Sequence, residues 1–369
     1  MTDPQAAARK LIDGIVSAGR ETGMQVAAYL HGEPVVSACA GLADPASGRP
    51  VEERTLFNSW SAGKGPVSTV VHVLAERGLL SYDTRVADLW PDFGVHGKGG
   101  VTIAHVLAHT AGVPQAPEGL TVAGLADWDG VCARIAALTP LWEAGTATGY
   151  HALTFGYVLG EVVRRATGRP IAQVLREDVA GPLGVAEELF FGVPASQLGR
   201  VARLDDGNWD AAVARRPPDS PFFTAAPPAL QAGPELGNRP DYLTTDVPSA
   251  GTMTARALAR MFAALIGEVD GVRLISPERA GLVSTVVTAA PDLVLGAPVP
   301  KGLGYFMGLP EMGGHARAFG CKGSGGAVAF ADPEHGFAFA LTHNRMTAPP
   351  LDVAAEVADL VRQALGIRA

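Results

Sequence analysis

The chain has 369 residues, 47% hydrophobic and 18% charged. That length allows two domains or one large body with an insertion, and so apolar a chain is not globally disordered. The formal net charge of −8, from 29 basic and 37 acidic side chains, repels phosphate backbones and argues against nucleic acid as a partner.

In chain order, Ala6 to Ala18 carries Leu11, Ile12, Ile15 and Val16 at helical spacing and predicts an opening helix. Two β-like runs follow, Gln25–Leu30 and Pro34–Ala40, with His31-Gly32 as a hairpin turn between them. The middle of the chain reads as helical at Val67–Arg77, Ile103–His109, Leu153–Thr167, Ile171–Val179 and Ala255–Leu265. The segment Ala202–Pro248 is rich in Pro, Asp and Ala without a period, and reads as a long surface excursion of the kind that borders sites. Leu303–Met307, Gly326–Phe330 and Phe337–Thr342 read as strands, and Asp352–Leu365 as a closing helix. The expected fold is therefore α/β, of the α+β type. An antiparallel sheet is built from both chain termini and flanked by the terminal helices, with a mostly helical region inserted. Residues 1–60 plus 300–369 would form the sheet region and 61–299 the helical one, including the excursion 202–248. The active site would lie in the cleft between them.

Three cysteines, Cys39, Cys132 and Cys321, lie far apart with no CxxC, so a disulfide framework or structural zinc site is not expected. The first twenty residues read as an amphipathic helix rather than a signal peptide. No apolar run approaches the roughly 18 residues of a membrane span. The cytoplasm is the expected location, with no membrane partner.

Chemistry enters at Ser59-Trp60-Ser61-Ala62-Gly63-Lys64-Gly65-Pro66, which leads into an apolar helix. Three positions apart in a helical turn, Ser61 and Lys64 face the same side. A serine hydroxyl needs a base to become a nucleophile, and a lysine amine serves if its pKa falls toward neutrality. A second segment, Leu141 to Ala152, places Tyr150 on a loop before the helix Leu153–Gly168. A phenol near a cationic lysine can become a partial phenolate and act as base or proton shuttle.

Ser61–Lys64 matches an S-x-x-K motif. Leu107-Ala108-His109-Thr110-Ala111-Gly112-Val113-Pro114 matches an L-x-H-T-x-G-x-P segment, and Gly145-Thr146 through Tyr150 matches a P-G-T…Y-x-N block with Ala144 in the proline position. With the stretch from Glu76 to Pro91, these segments resemble the serine β-lactamase and penicillin-recognising superfamily over nearly the whole chain. The likeness is nearest to the class C-type branch and its family VIII carboxylesterases. The resemblance implies a β-lactamase/transpeptidase-like fold and an acylated Ser61. It also implies Lys64 and Tyr150 sharing acid–base work, and an oxyanion hole from the Ser61 amide and that of Ser324.

Two departures bear on substrate. The second motif reads Tyr150-His151-Ala152 and lacks its Asn, which favours a simpler ester. The third motif reads Cys321-Lys322-Gly323, so the usual cation is replaced by Cys321. Lys322 then falls on the opposite face of a regular strand, while Gly323 allows close backbone approach. Trp60, His151, Lys322 and Gly323 are the candidate substrate-binding residues. His105 and His109 stand i, i+4, but Val106 occupies the place of the Glu in a zinc H-E-x-x-H motif, so no metal and no cofactor are expected. The expected activity is hydrolysis of small carboxylic esters through an acyl-Ser61 intermediate. An acyltransferase or peptide thioesterase-cyclase is the alternative, with a β-lactamase, a D-peptidase or a silent binding protein less favoured.

Overall fold

Two apolar runs from opposite ends of the chain meet in one sheet. The computed structural model describes residues 3–367. Strand β1 (Gly23–Leu30) hairpins to β2 (Glu33–Asp44), and β3 (Arg49–Pro50) closes that edge. From the far end come β4 (Phe306–Met307), β5 (Phe319–Lys322), β6 (Val328–Asp332) and β7 (Phe337–His343). The order is β3-β2-β1-β7-β6-β5-β4, antiparallel throughout, with β1 beside β7 in the register Val26↔Leu341.

Strands β6 and β7 are buried along their whole length, so both faces of the sheet must be covered. Helices α1 (Pro4–Ser17) and, at the far terminus, α5 (Ala354–Ala364) cover one face, where Ile12, Ile15, Val357 and Val361 meet Val26, Phe330 and Phe339. The other face presents small residues, Ala27, Ala329, Ala338 and Ala340. They admit a helix at close range, and α4 (Ala255–Ile266) packs there. The terminal helices thus cover one face, and a helix of the segment 61–299 covers the other. Buried Gln25 ties the two together. Its Nε2 donates to the Glu52 carbonyl at 2.6 Å and its Oε1 accepts from the Ala255 amide at 3.1 Å.

The nucleophile segment forms a 3₁₀ turn, Trp60–Gly63, running into α2 (Lys64–Glu76). Every residue of α2 from Lys64 to Ala75 is buried. Its polar side chains are matched: Ser68 donates to the Gly304 carbonyl at 2.9 Å and Thr69 pairs with the Tyr305 hydroxyl at 3.0 Å. Helix α3 (Thr154–Thr167) packs against α2.

Several expected bounds move for local reasons. The strand read from Leu303 begins at Phe306, after Gly304 at φ +86°. The strand read from Gly326 begins at Val328, after Gly325 and Gly326 at φ +87° and +117°. The helix read over Ile171–Val179 is a short α-helix, Ile171–Val174, continued by a π turn. The excursion 202–248 holds helical turns such as Pro221–Ala225, Pro234–Gly237 and Pro240–Leu243, each started by proline at its first position and too short to show a period. Among the described residues, no helix is long and apolar enough to cross a membrane.

Candidate active site

Ser61 and Lys64 meet because a 3₁₀ turn has three residues per turn, which sets positions i and i+3 directly above one another. Lys64 Nζ lies 3.2 Å from Ser61 Oγ. It also donates to the Ala152 carbonyl at 2.9 Å and the Ser249 carbonyl at 3.0 Å. Carbonyls only accept, so two N–H bonds of Lys64 are committed to them. A neutral amine then has its lone pair left for the Ser61 hydroxyl. Burial strongly favours that neutral form, pushing Lys64 from 10.5 down to about 7.

Tyr150 adjoins the same group: it lines the cleft together with Ser61, and its ring lies 4.9 Å from Lys64 Nζ. Burial drives the phenol well above its ordinary value. Desolvation penalises a phenolate as it penalises an ammonium, so burial favours the neutral form of both groups.

The turn is wedged on two sides. A Cβ on Gly63 would come 2.3 Å from the Ala250 backbone, and one on Gly323 would come 2.0 Å from the Ser59 carbonyl oxygen. Trp60, just before the nucleophile, sits at φ +47°, a left-handed conformation costly for a bulky side chain. The cleft in front of Ser61 holds about 90 Å³. Trp60, Tyr150 and Ser324 border it, and the excursion adds Phe222, Leu230 and Tyr242. No Asp, Glu, Lys or Arg is among the described residues lining it.

The Beta-lactamase family matches residues 8–363 of the chain. The chain belongs to the Beta-lactamase family. It is 38% identical over 345 residues to Esterase/beta-lactamase LipL of Mycobacterium tuberculosis (strain ATCC 25618 / H37Rv), covering 89% of this chain and 78% of that protein. Its structure resembles that of a family VIII carboxylesterase with a TM-score of 0.89 at 32% identity, over 98% of this chain and 97% of the other. It also resembles a penicillin-binding protein homolog from Caulobacter crescentus, TM-score 0.85 at 34% identity, over 99% and 98% of the two chains.

Within this Beta-lactamase family chain, Ser61, Lys64, Tyr150, Trp60 and Ser324 come together at one cleft, with Gly323 seated behind the nucleophile turn. Two sequence candidates for substrate binding lie elsewhere. Lys322 points to the other face of β5 and pairs with Glu311 and Asp352, because strand alternation turns Cys321, not Lys322, toward α2. His151 is buried: its Nε2 accepts from the Val113 amide at 3.1 Å and its Nδ1 donates to the Gly149 carbonyl at 2.6 Å. Neither ring nitrogen is left for a substrate. His109 accepts the His151 amide through Nδ1 at 3.0 Å and stacks on Phe155. Cys321 is an apolar filler whose thiol burial holds at about 12. Trp90 is core, packed on Phe93.

Three positions escaped the sequence reading. Ser249, in the small-residue run Pro248-Ser249-Ala250-Gly251, offers its carbonyl to Lys64. Asp292 and Lys301 form a buried ion pair at 2.8 Å, and Asp292 Oδ1 accepts the Tyr150, Val294 and Leu295 amides. That pair fixes the backbone carrying Tyr150. The Asp292 bond to the Tyr150 amide spans 142 residues, so no local pattern announces it.

Proposed function

We propose that the chain is a serine ester hydrolase that acylates Ser61. The observation carrying this reading is the placement of Ser61 beside a buried amine with an available lone pair and a buried phenol that keeps its proton. The neutral Lys64 amine accepts the Ser61 proton as Oγ bonds to the ester carbonyl carbon. The carbonyl oxygen takes the negative charge, facing the Ser61 and Ser324 amides. Tyr150 protonates the leaving alkoxide as the C–O bond breaks, and its phenolate recovers the proton held on Lys64. Water then attacks the acyl carbon by the same route in reverse, and Ser61 regains its proton.

Among the described residues lining the cleft there is no Asp, Glu, Lys or Arg, and Cys321 stands where a cation would serve a carboxylate. Small neutral acyl esters are therefore the proposed substrates, ahead of penicillins and cephalosporins, whose carboxylate adjoins the scissile bond. Intact-mass analysis after exposure to p-nitrophenyl acetate and p-nitrophenyl butyrate tests this. An acyl adduct that Ser61→Ala lacks, with turnover lost, is expected; turnover retained in Ser61→Ala refutes it.

A further inference from the structure

At the opposite end of β6 from the Gly323–Ser324 turn, two histidines converge on one buried carboxylate. Asp332 ends β6, His335 follows in the β6–β7 turn, and His315 arrives on the loop before β5, just after Gly313 and Gly314 at φ +75° and +71°. Asp332 Oδ2 lies 2.5 Å from His315 Nδ1 and 2.8 Å from His335 Nδ1, and the three donor atoms fall within 4.8 Å of one another. Asp332 Oδ1 is held separately by the Glu334 amide at 3.0 Å, so Oδ2 alone faces the two rings.

We propose that His315, Asp332 and His335 form a zinc-type divalent metal site that ties the 313–318 loop to the β6–β7 turn. Three features carry this. Imidazole and carboxylate donors are the set that binds Zn²⁺, which three protein ligands and a water complete as a tetrahedron. The Asp332 side chain is 1% exposed, and among the described residues its ion pairs are with these two imidazoles alone, with no Lys or Arg. A buried carboxylate calls for a cation as partner or ligand. Finally, both rings turn the same nitrogen, Nδ1, toward one point.

Zinc–nitrogen bonds of about 2.0–2.1 Å place tetrahedral ligands roughly 3.3 Å apart. The two nitrogen–oxygen separations must therefore open by under about 1 Å. His335 is on a turn with its side chain 35% exposed and can make that shift without disturbing the core. The site lies at the far end of β6 from the Gly323–Ser324 turn, so it serves as a clip on that end of the sheet rather than in catalysis.

The test uses the full chain, stripped with chelator and titrated with Zn²⁺ alone by calorimetry, with Co²⁺ absorption as a second reading. One ion per chain, a Tm raised by several degrees at saturating Zn²⁺, and tetrahedral Co²⁺ bands are expected. His335→Ala, His315→Ala and Asp332→Asn should each weaken binding at least about 10-fold, with ester hydrolysis in His335→Ala unchanged as the check on folding. Absence of saturable one-to-one binding to the native chain, or binding unaltered in His335→Ala, would overturn the proposal.

Discussion

Replacing Lys64 by methionine sets stability against activity and gives the sharpest test of the amine's state. Burial lowers Lys64 from 10.5 to about 7, a difference worth about 5 kcal/mol at about 1.36 kcal/mol per pH unit. Methionine removes that burden and keeps the side chain's length. It also leaves the Ala152 and Ser249 carbonyls without their N–H donor, at about 1–2 kcal/mol each. Lys64→Met should thus be about 1–3 kcal/mol more stable at pH 7, while kcat falls by about 10²–10⁴. The pH dependence has a definite sign. Between about 7 and 10.5 the unfolded chain holds a proton that the folded one has released, so this group's contribution to stability rises with pH across that window. Urea denaturation of both proteins at pH 7, 8 and 9 checks it, alongside hydrolysis of p-nitrophenyl acetate. The stability advantage of the methionine variant should shrink as pH rises. A variant less stable than the native chain by over about 2 kcal/mol, or an advantage independent of pH, would show that Lys64 is a well-compensated ammonium and not a poised base.

Other outcomes follow from the same geometry. Tyr150→Phe should lower kcat by about 10²–10⁴ yet keep the acid limb of kcat/KM near pH 7, because that limb belongs to Lys64; a limb that vanishes with the phenol would reassign it. Lys322→Ala should destabilise the fold by about 2–4 kcal/mol in chemical denaturation, since it strands buried Glu311 and half-buried Asp352, with KM for neutral esters unchanged. Gly323→Ala should lower both Tm and kcat, because its Cβ would press to 2.0 Å from the Ser59 carbonyl and push β5 off the nucleophile turn; an unaltered kcat would place the strand farther away than the structure does.

The sequence made the chemistry of the helix starts legible and left the long-range supports unread. The Ser61–Lys64 spacing and the loop position of Tyr150 are local features, and the terminal strands carry apolar runs that declare themselves. The excursion's helices are shorter than the period needed to detect them. The Asp292 bond to the Tyr150 amide and the Ser249 carbonyl act across loops, where nothing in the neighbouring residues reports the contact. Lys322 illustrates the opposite case. Strand alternation argues for its outward direction, so naming it as a substrate contact set residue type above geometry, and the pairing with Glu311 and Asp352 resolves the conflict in favour of geometry.

The wall of the cleft contributed by Phe222, Leu230 and Tyr242 comes from a stretch of chain that supplies none of the three reacting groups. Ser61 and Lys64, by contrast, stand at the mouth of a helix sealed in the interior. Selectivity and reactivity are thus written on separate segments. Substrate range can drift through changes in the excursion while the reacting groups remain fixed, and a loop exchanged between related chains is a natural unit for transplanting preference without rebuilding the chemistry.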